Sequence, residues 1–175
     1  MGKLWAIILL LGFCSMPAMA ADHPQAEVFG GYQYTRFDGG ENANGWNAAG
    51  TVNLNRWLGV TADFSGVYTS EDGVKFSNYT YTFGPTVSLR GAPMITPFAH
   101  ALFGGVHSSA AIAAGGANVS ASASGFAALV GGGVDINFSH HLAIRPVQVD
   151  WMLLHNSGGT SNNNARISAG IVLKL

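Results

Sequence analysis

The sequence predicts an all-β protein, a closed antiparallel β-barrel of eight strands that crosses a membrane as an up-and-down meander. Apolar and polar residues alternate along several stretches of the chain. Hydrophobic residues make up 48% of the sequence and charged residues only 10%, with 24 glycines. An apolar segment also stands at the N-terminus. This composition is too apolar for an ordinary soluble surface and too rich in glycine for a helical bundle.

The N-terminal segment is typical of a cleaved signal peptide over residues 1–20. Lys3 precedes an apolar core and an Ala-Met-Ala cleavage site. The core of about ten residues is shorter than the ~20 that a spanning helix needs, which argues against an N-terminal anchor. A lipoprotein acylated at Cys14 is the other alternative, and the bulky Phe13 before it argues against that. We therefore predict a mature barrel domain over residues 21–175.

The clearest alternation lies in the last segment of the chain. Ile167 and Ile171 share one phase, whereas Arg166 and Lys174 share the other. Because successive side chains of a strand point to opposite faces, one face suits lipid and the other suits a polar interior. The same period of two recurs in residues 58–65 and 79–84.

Eight such segments are predicted to be strands. They cover residues 26–37, 46–55, 57–68, 75–88, 96–107, 123–137, 142–155 and 164–175. Tight turns alternate with longer connections, which cover residues 38–45, 69–74, 108–122 and 156–163 and are rich in Gly, Asn, Ser and Asp. Since short connections of such barrels face the periplasm, the four longer ones are predicted to be extracellular loops, the third of them mobile.

The residues taken together resemble the OmpA/OmpX-like outer-membrane β-barrel domain family. The resemblance rests on the eight alternating strands and on residues 46–48, 131–135, 145–151 and 164–175. It covers essentially all of the mature chain, with Leu175 standing where the family usually ends in Phe. It implies a location in the bacterial outer membrane, contact with lipid and lipopolysaccharide, and insertion by the barrel-assembly machinery.

Eight polar or charged residues are predicted to form a stabilising network inside the barrel. They are Glu27, Asp63, Asp135, Arg145, Gln148, Asp150, Arg166 and Lys174. An Arg or Lys that faced lipid at the midplane would cost about 2–4 kcal/mol, so the inward arrangement is favoured. A gated ion path is the alternative, although eight strands leave an interior only just wide enough for side chains.

Nine aromatic residues are expected to lie in girdles at the two membrane interfaces, where a ring can meet both headgroup and hydrocarbon. They are Tyr32, Tyr34, Phe37, Trp46, Trp57, Phe76, Tyr79, Tyr81 and Trp151. Anchoring in the membrane is their expected role. Trp46 is also a candidate for a sugar-binding platform.

One pair of residues suggests a hydrolase. His155 and Ser157 form a His-x-Ser that resembles the lipid A deacylase family, in which histidine activates serine as the nucleophile. No acid follows Asp150, so the orienting carboxylate of that family has no counterpart. His140 and His141 would point to opposite faces of a strand and make a poor metal site. We therefore expect no catalytic residue, no cofactor and no bound metal.

The net charge and the alternation of residues together narrow the range of possible functions. A formal net charge of −1 provides no basic stripe for nucleic acid. We predict a monomeric, non-enzymatic outer-membrane barrel that contributes to membrane integrity or to surface interactions through long extracellular loops. The alternatives are a narrow channel for small solutes, a lipid A-modifying hydrolase, and a soluble barrel that carries a ligand among inward-facing apolar residues.

Overall fold

Eight antiparallel strands close into one barrel in meander order, with β1 paired to β8. The computed structural model describes residues 23–71, 74–114, 117–156 and 159–175. The strands are β1 (Ala26–Arg36), β2 (Asn42–Asn53), β3 (Leu58–Glu71), β4 (Val74–Ser88), β5 (Ile95–Ala114), β6 (Ala117–Asn137), β7 (Leu142–Asn156) and β8 (Gly159–Lys174). The predicted fold class is confirmed. The predicted signal peptide lies outside the described residues.

No helix in the described ranges is long and apolar enough to cross a membrane.

The two phases of each strand separate as the alternation predicts. In β8, Ile167 and Ile171 are 45% and 53% exposed on the outside of the barrel, whereas Arg166 and Lys174 are buried inside it. The outer surface is therefore apolar and suits hydrocarbon. A soluble barrel would need the opposite arrangement, and the burial pattern contradicts it.

The two ends of the barrel differ. Tight turns over residues 54–57, 89–94 and 138–141 lie at the same end as the C-terminal Leu175. In the first turn the side-chain oxygen of Asn55 accepts hydrogen bonds from the backbone N–H groups of Trp57 and Leu58, both at 2.8 Å. Short turns belong to the periplasmic side, so we name this the inner end and the opposite one the outer end.

Several strands extend past the lipid at the outer end. β5 and β6 contain 20 and 21 residues, although about 9–11 suffice to cross a bilayer. The prediction of a mobile loop over residues 108–122 is therefore wrong, because its described residues belong to these two paired strands. The predicted loops over residues 38–45, 69–74 and 156–163 are strand over residues 42–45, 69–71, 74, 156 and 159–163. Beyond the lipid neither face of a strand must be apolar, so pairing continues where the alternation has stopped.

The outer part of β5 and β6 projects past its neighbour β7. Residues 117–125 of β6 pair with β5 but with no described residue of β7, whose pairing with β6 begins at Phe126 and His155. We call residues 107–114 and 117–125 the outer hairpin. One side of this hairpin is an open sheet edge along the described part of the chain.

A bulge in β7 sets which side chains of that strand face inward. The register between β7 and β8 shifts between Arg145 and Gln148. Pro146 lies there and has no N–H to donate to the ladder. Pro146 and Val147 both face outward in succession, so Arg145 and Gln148 both point inside.

Candidate functional site in the lumen and at its outer mouth

Arg166 joins two carboxylates in the middle of the lumen. Its Nη1 and Nη2 donate to the two carboxylate oxygens of Asp63 at 2.7 and 3.1 Å, and its Nε donates to Asp150 at 2.7 Å. All three side chains are at most 1% exposed. Paired, charge-assisted hydrogen bonds of this kind are among the strongest in proteins. The triad ties β8 to β3 and β7 across the interior.

Asp150 receives two further contacts. Gln148 donates from Nε2 at 2.8 Å, and Nε2 of His100 lies 2.8 Å from the other carboxylate oxygen. A Cβ atom at Gly131 of β6 would overlap this carboxylate, so the absence of a side chain lets Asp150 pack directly on β6. The acid therefore has partners on three sides.

Arg145 forms the second ion pair of the lumen. It donates to both carboxylate oxygens of Asp135 at 2.7 and 3.1 Å and to Oε1 of Gln148 at 2.8 Å. Its guanidinium carbon lies 4.0 Å from the ring centroid of Phe98 and 4.6 Å from that of Phe29. A planar cation suits such stacking on aromatic faces. Through Gln148 this pair and the Arg166 triad become one continuous network.

Glu27 and Lys174 lie toward the inner end and have separate partners. Arg90 donates to Glu27 at 2.8 Å, and Nζ of Lys174 donates to Oδ1 of Asn137 at 2.6 Å. All eight residues predicted for the polar network thus face the lumen, six of them in the continuous network and these two beside it. Sequence reasoning missed Arg90, which reaches back from a tight turn, and His100, whose inward phase was the available signal.

The charges of the described lumen balance, and they fill it. The acids are Glu27, Asp63, Asp135 and Asp150, and the bases are Arg90, Arg145, Arg166 and Lys174. The cavity beside Glu27, Asp63, Asp135 and Arg145 measures about 10 Å³, and a separate cavity of about 610 Å³ opens at the inner end beside Arg90 and Lys174. A single water molecule needs at least about 10 Å³. The lumen is therefore closed to solutes at the level of these ion pairs.

The outer half of the lumen contains an apolar cluster, beside buried polar residues such as Thr80 and Asn164. Leu102, Val106, Leu129 and Met152 form its core with Ala127, and each is at most 3% exposed. Leu154 packs against this cluster and is partly buried. We call these residues the apolar cluster. Sequence reasoning placed only polar residues inside, so it missed this half.

Beyond the apolar cluster the lumen widens into a cavity of about 460 Å³, which we call the outer mouth. Its apolar lining includes Phe37, Ala43, Val67 and Phe76, and its polar lining includes Glu41, Thr69, Asn78 and Ser108. A second cavity of about 330 Å³ shares Phe37, Asn78 and Ser108 with it and reaches Val106 and Leu154. The apolar cluster therefore forms the floor of the outer mouth.

Two of the predicted girdle aromatics belong to this mouth. Phe37 and Phe76 line the cavity, so their assignment to an interface girdle is wrong. Both residues lie in the inward phase of their strands, just beyond the lipid, where the phase alone would have placed them. Apart from these two, the predicted girdle residues that are exposed are Tyr32, Trp46, Trp57, Tyr79, Tyr81 and Trp151.

The hydrolase hypothesis finds no assembled site. Nδ1 of His155 lies 2.7 Å from Oγ1 of Thr160. Ser157 lies outside the described residues, so the His-x-Ser pair stays a prediction. Among the side chains that the structure describes, no three His, Cys, Asp or Glu residues are grouped as metal ligands.

Comparisons with known proteins agree with this architecture. The model of the outer membrane protein beta-barrel domain matches residues 6–172. A search of curated proteins finds no match. Among solved structures, the chain is similar to the attachment invasion locus protein Ail of Yersinia pestis, with 18% identity and a TM-score of 0.62 over 86% of this chain and 99% of that one.

Two further solved structures share the fold. Neisserial surface protein A has 12% identity and a TM-score of 0.62, over 86% of this chain and 96% of that one. OprG of Pseudomonas aeruginosa has 11% identity and a TM-score of 0.57, over 89% of this chain and 97% of that one. With the family model matching nearly the whole sequence, the chain belongs to the outer-membrane protein β-barrel domain family and is a protein of the bacterial outer membrane.

Proposed function

We propose that this protein is a closed, non-enzymatic surface barrel that makes contacts outside the cell through its outer hairpin. The length of β5 and β6 carries the proposal. With 20 and 21 residues, each strand continues for roughly nine residues past the number that crosses the hydrocarbon. A barrel that only sealed or stiffened the membrane would not need this projection.

The open edge of β6 supports a role in contacts. Residues 117–125 have no strand partner among the described residues on the side away from β5, so backbone N–H and C=O groups face outward there. Exposed edges are usually protected by charged residues or proline, and residues 108–134 contain neither. An extended segment of a partner could add to such an edge as a further strand.

The charge of the outer end indicates which kinds of partner surface the protein does not favour. Ail has been solved with the heparin analogue sucrose octasulfate. In the part of the chain that the structure describes, the charged residues beyond the barrel's lipid-facing part are Arg36, Lys75, Asp38, Glu41 and Glu71, two positive and three negative. A net charge of −1 disfavours sulfated polymers, so the proposed contacts are with uncharged or cationic surfaces.

The closed inner lumen argues against the channel alternative. A solute would have to displace the triad of Arg166, Asp63 and Asp150, and breaking a buried ion pair costs several kcal/mol. In planar bilayers the purified barrel should therefore give no regular conductance steps. Steps of uniform size would overturn the closed part of the proposal.

Deletion of residues 109–122 tests the contact role. The shortened chain should still reach the outer membrane and show heat-modifiable gel migration, because these residues lie outside the lipid-crossing part. Cells that express it should adhere to cultured epithelial cells, and to each other, no better than cells without the protein. Arg36→Gln, an exposed change at the same end, is the control and should leave adhesion unchanged. Full adhesion after the deletion would contradict the role of the outer hairpin.

A further inference from the structure

We propose that the outer mouth binds a small amphipathic amine, with its apolar body against Phe37 and Phe76 and its ammonium group toward Glu41. The proposal rests on the proposed function in one respect: because the lumen beneath is closed, the mouth is a place where a ligand stays. Its cavity of about 460 Å³ lies in the range of small-molecule sites, which is about 300–1,000 Å³.

The apolar wall of the mouth is incompletely covered by the protein itself. Phe76 lies in the inward phase of β4 and yet is 46% exposed. Val67 and Ala43 lie on the same wall and are 5% and 2% exposed. A ligand body that covered the exposed ring would remove apolar surface from water, which is favourable.

The polar wall holds a group that lacks a partner. The buried side-chain oxygen of Asn78 has no hydrogen bond, although Asn78 lines both cavities. A buried polar atom without a partner is costly, and a half turn of the amide would exchange its oxygen and nitrogen. An N–H group of a ligand could then satisfy the oxygen. Thr69 and Ser108 offer further hydroxyl groups on this lining.

Charge selects the sign of the ligand. Glu41 is the one charged residue among those that line the larger cavity in the described part of the chain. None of the described lining residues is basic, so none of them would receive a carboxylate or a phosphate. The net charge of −1 over the described residues of the outer end acts in the same direction. A cation is therefore attracted and an anion is repelled.

The floor of the mouth fixes the orientation of the ligand. Val106 and Leu154 lie where the second cavity meets the apolar cluster. An ammonium group pushed toward them would lose its water and find no carboxylate. The apolar end of the ligand therefore points into the barrel, and the amine stays near Glu41 at the rim.

A matched pair of probes tests the proposal. Binding of 1-naphthylmethylamine and of 1-naphthoate is measured by calorimetry on the full-length mature barrel in nanodiscs, with empty nanodiscs subtracted. The amine should bind saturably and about fivefold or more tighter than the acid, the ratio expected for one partly exposed carboxylate. Glu41→Gln should remove this difference. Asp38→Asn, on the same turn but outside the cavity lining, should keep it.

Variants that fill the cavity provide a second test of the proposal. Ser108→Phe and Ala123→Phe should each abolish amine binding, and Ala123 is exposed, so the larger side chain there needs no buried space. Heat-modifiable migration reports that each variant is folded. Equal affinity for amine and acid, or amine binding unchanged in both filled variants, would overturn the proposal. Conductance steps would instead overturn the closed barrel and leave saturable amine binding standing.

Discussion

The two halves of the lumen differ in where their charged residues lie. Toward the inner end, Arg166 and Arg145 hold three carboxylates in one hydrogen-bonded network. Toward the outer end, Leu102 and Leu129 pack in an apolar cluster with no charged member. The charged network leaves a cavity of only about 10 Å³ beside it, whereas the barrel opens into cavities of about 610 Å³ at the inner end and about 460 Å³ at the outer end.

This difference separates two tasks along the barrel axis. Ion pairs with fixed geometry close the inner half, because every charged group there needs its partner in place. Apolar side chains only need to fill volume, so the outer half can change shape at lower cost. Closure and binding are thereby assigned to different layers of the same eight strands.

We call the charged network of the inner half the ionic layer. Removing its central cation while keeping the two acids should lower the free energy of unfolding more than any other change considered. Arg166→Met leaves Asp63 and Asp150 buried without their cation and should lower the free energy of unfolding by about 4 kcal/mol. Urea titration of the barrel in lipid vesicles measures this loss. Replacing both acids with leucine in the same chain should recover most of it. A loss below about 1 kcal/mol, similar to the exposed control Arg36→Met, would show that the layer does not need its charges.

Truncation of a side chain in the apolar cluster should lower the free energy of unfolding somewhat less. Leu129→Ala removes a fully buried side chain and should cost about 3 kcal/mol in the same titration. Leu129→Met keeps the volume and should cost less than about 1.5 kcal/mol. If the two variants were equally damaging, the outer half would depend on specific shape as strictly as the inner half does.

A smaller loss is expected where the ionic layer packs on backbone. Gly131→Ala places a Cβ atom against the carboxylate of Asp150 and the carbonyl of Val149, and should cost about 2 kcal/mol. Gly30→Ala is the matched control, because a Cβ atom there meets nothing within 4 Å. Comparison of the two unfolding midpoints measures the effect. Equal midpoints would mean that Asp150 can move aside without loss.

The smallest effect is expected outside the lumen. The hydroxyl of Tyr68 lies 3.3 Å from Nε1 of Trp46 and 3.3 Å from the hydroxyl of Tyr79, on the outer surface. Tyr68→Phe should change the free energy of unfolding by less than about 0.5 kcal/mol, as is usual for exposed contacts. A loss comparable to that of Gly131→Ala would show that surface polar contacts, and not the lumen, hold the outer end.

The sequence predicted the ionic half well for a physical reason. A charge on the lipid face is expensive, so each strand that crosses hydrocarbon must keep Arg166, Asp150 or Asp63 in the inward phase. The period of two then places them without further information. Which charge meets which could not be predicted, because it depends on strand tilt and on side-chain reach across the barrel.

The apolar cluster of the outer half was not predicted, because the cost of placing a charge on the lipid face does not distinguish the two faces of a strand there. Around Leu129 both phases are apolar, so alternation does not tell inside from outside. Past the lipid, the Ala, Ser and Gly residues of the outer hairpin resemble a loop in composition although they are paired strands. Phe37 and Phe76 were misplaced for a related reason: aromatic residues near an interface suit a girdle and a cavity equally.

The bulge at Pro146 makes the length of β7 as important as its composition. Two residues there occupy the space of one, so losing either of them would shift the frame of one half of the strand by a single step. In one outcome Arg145 would turn toward the acyl chains, and in the other Asp150 would. A one-residue deletion that is harmless in the outer hairpin would here expel a charge from the lumen.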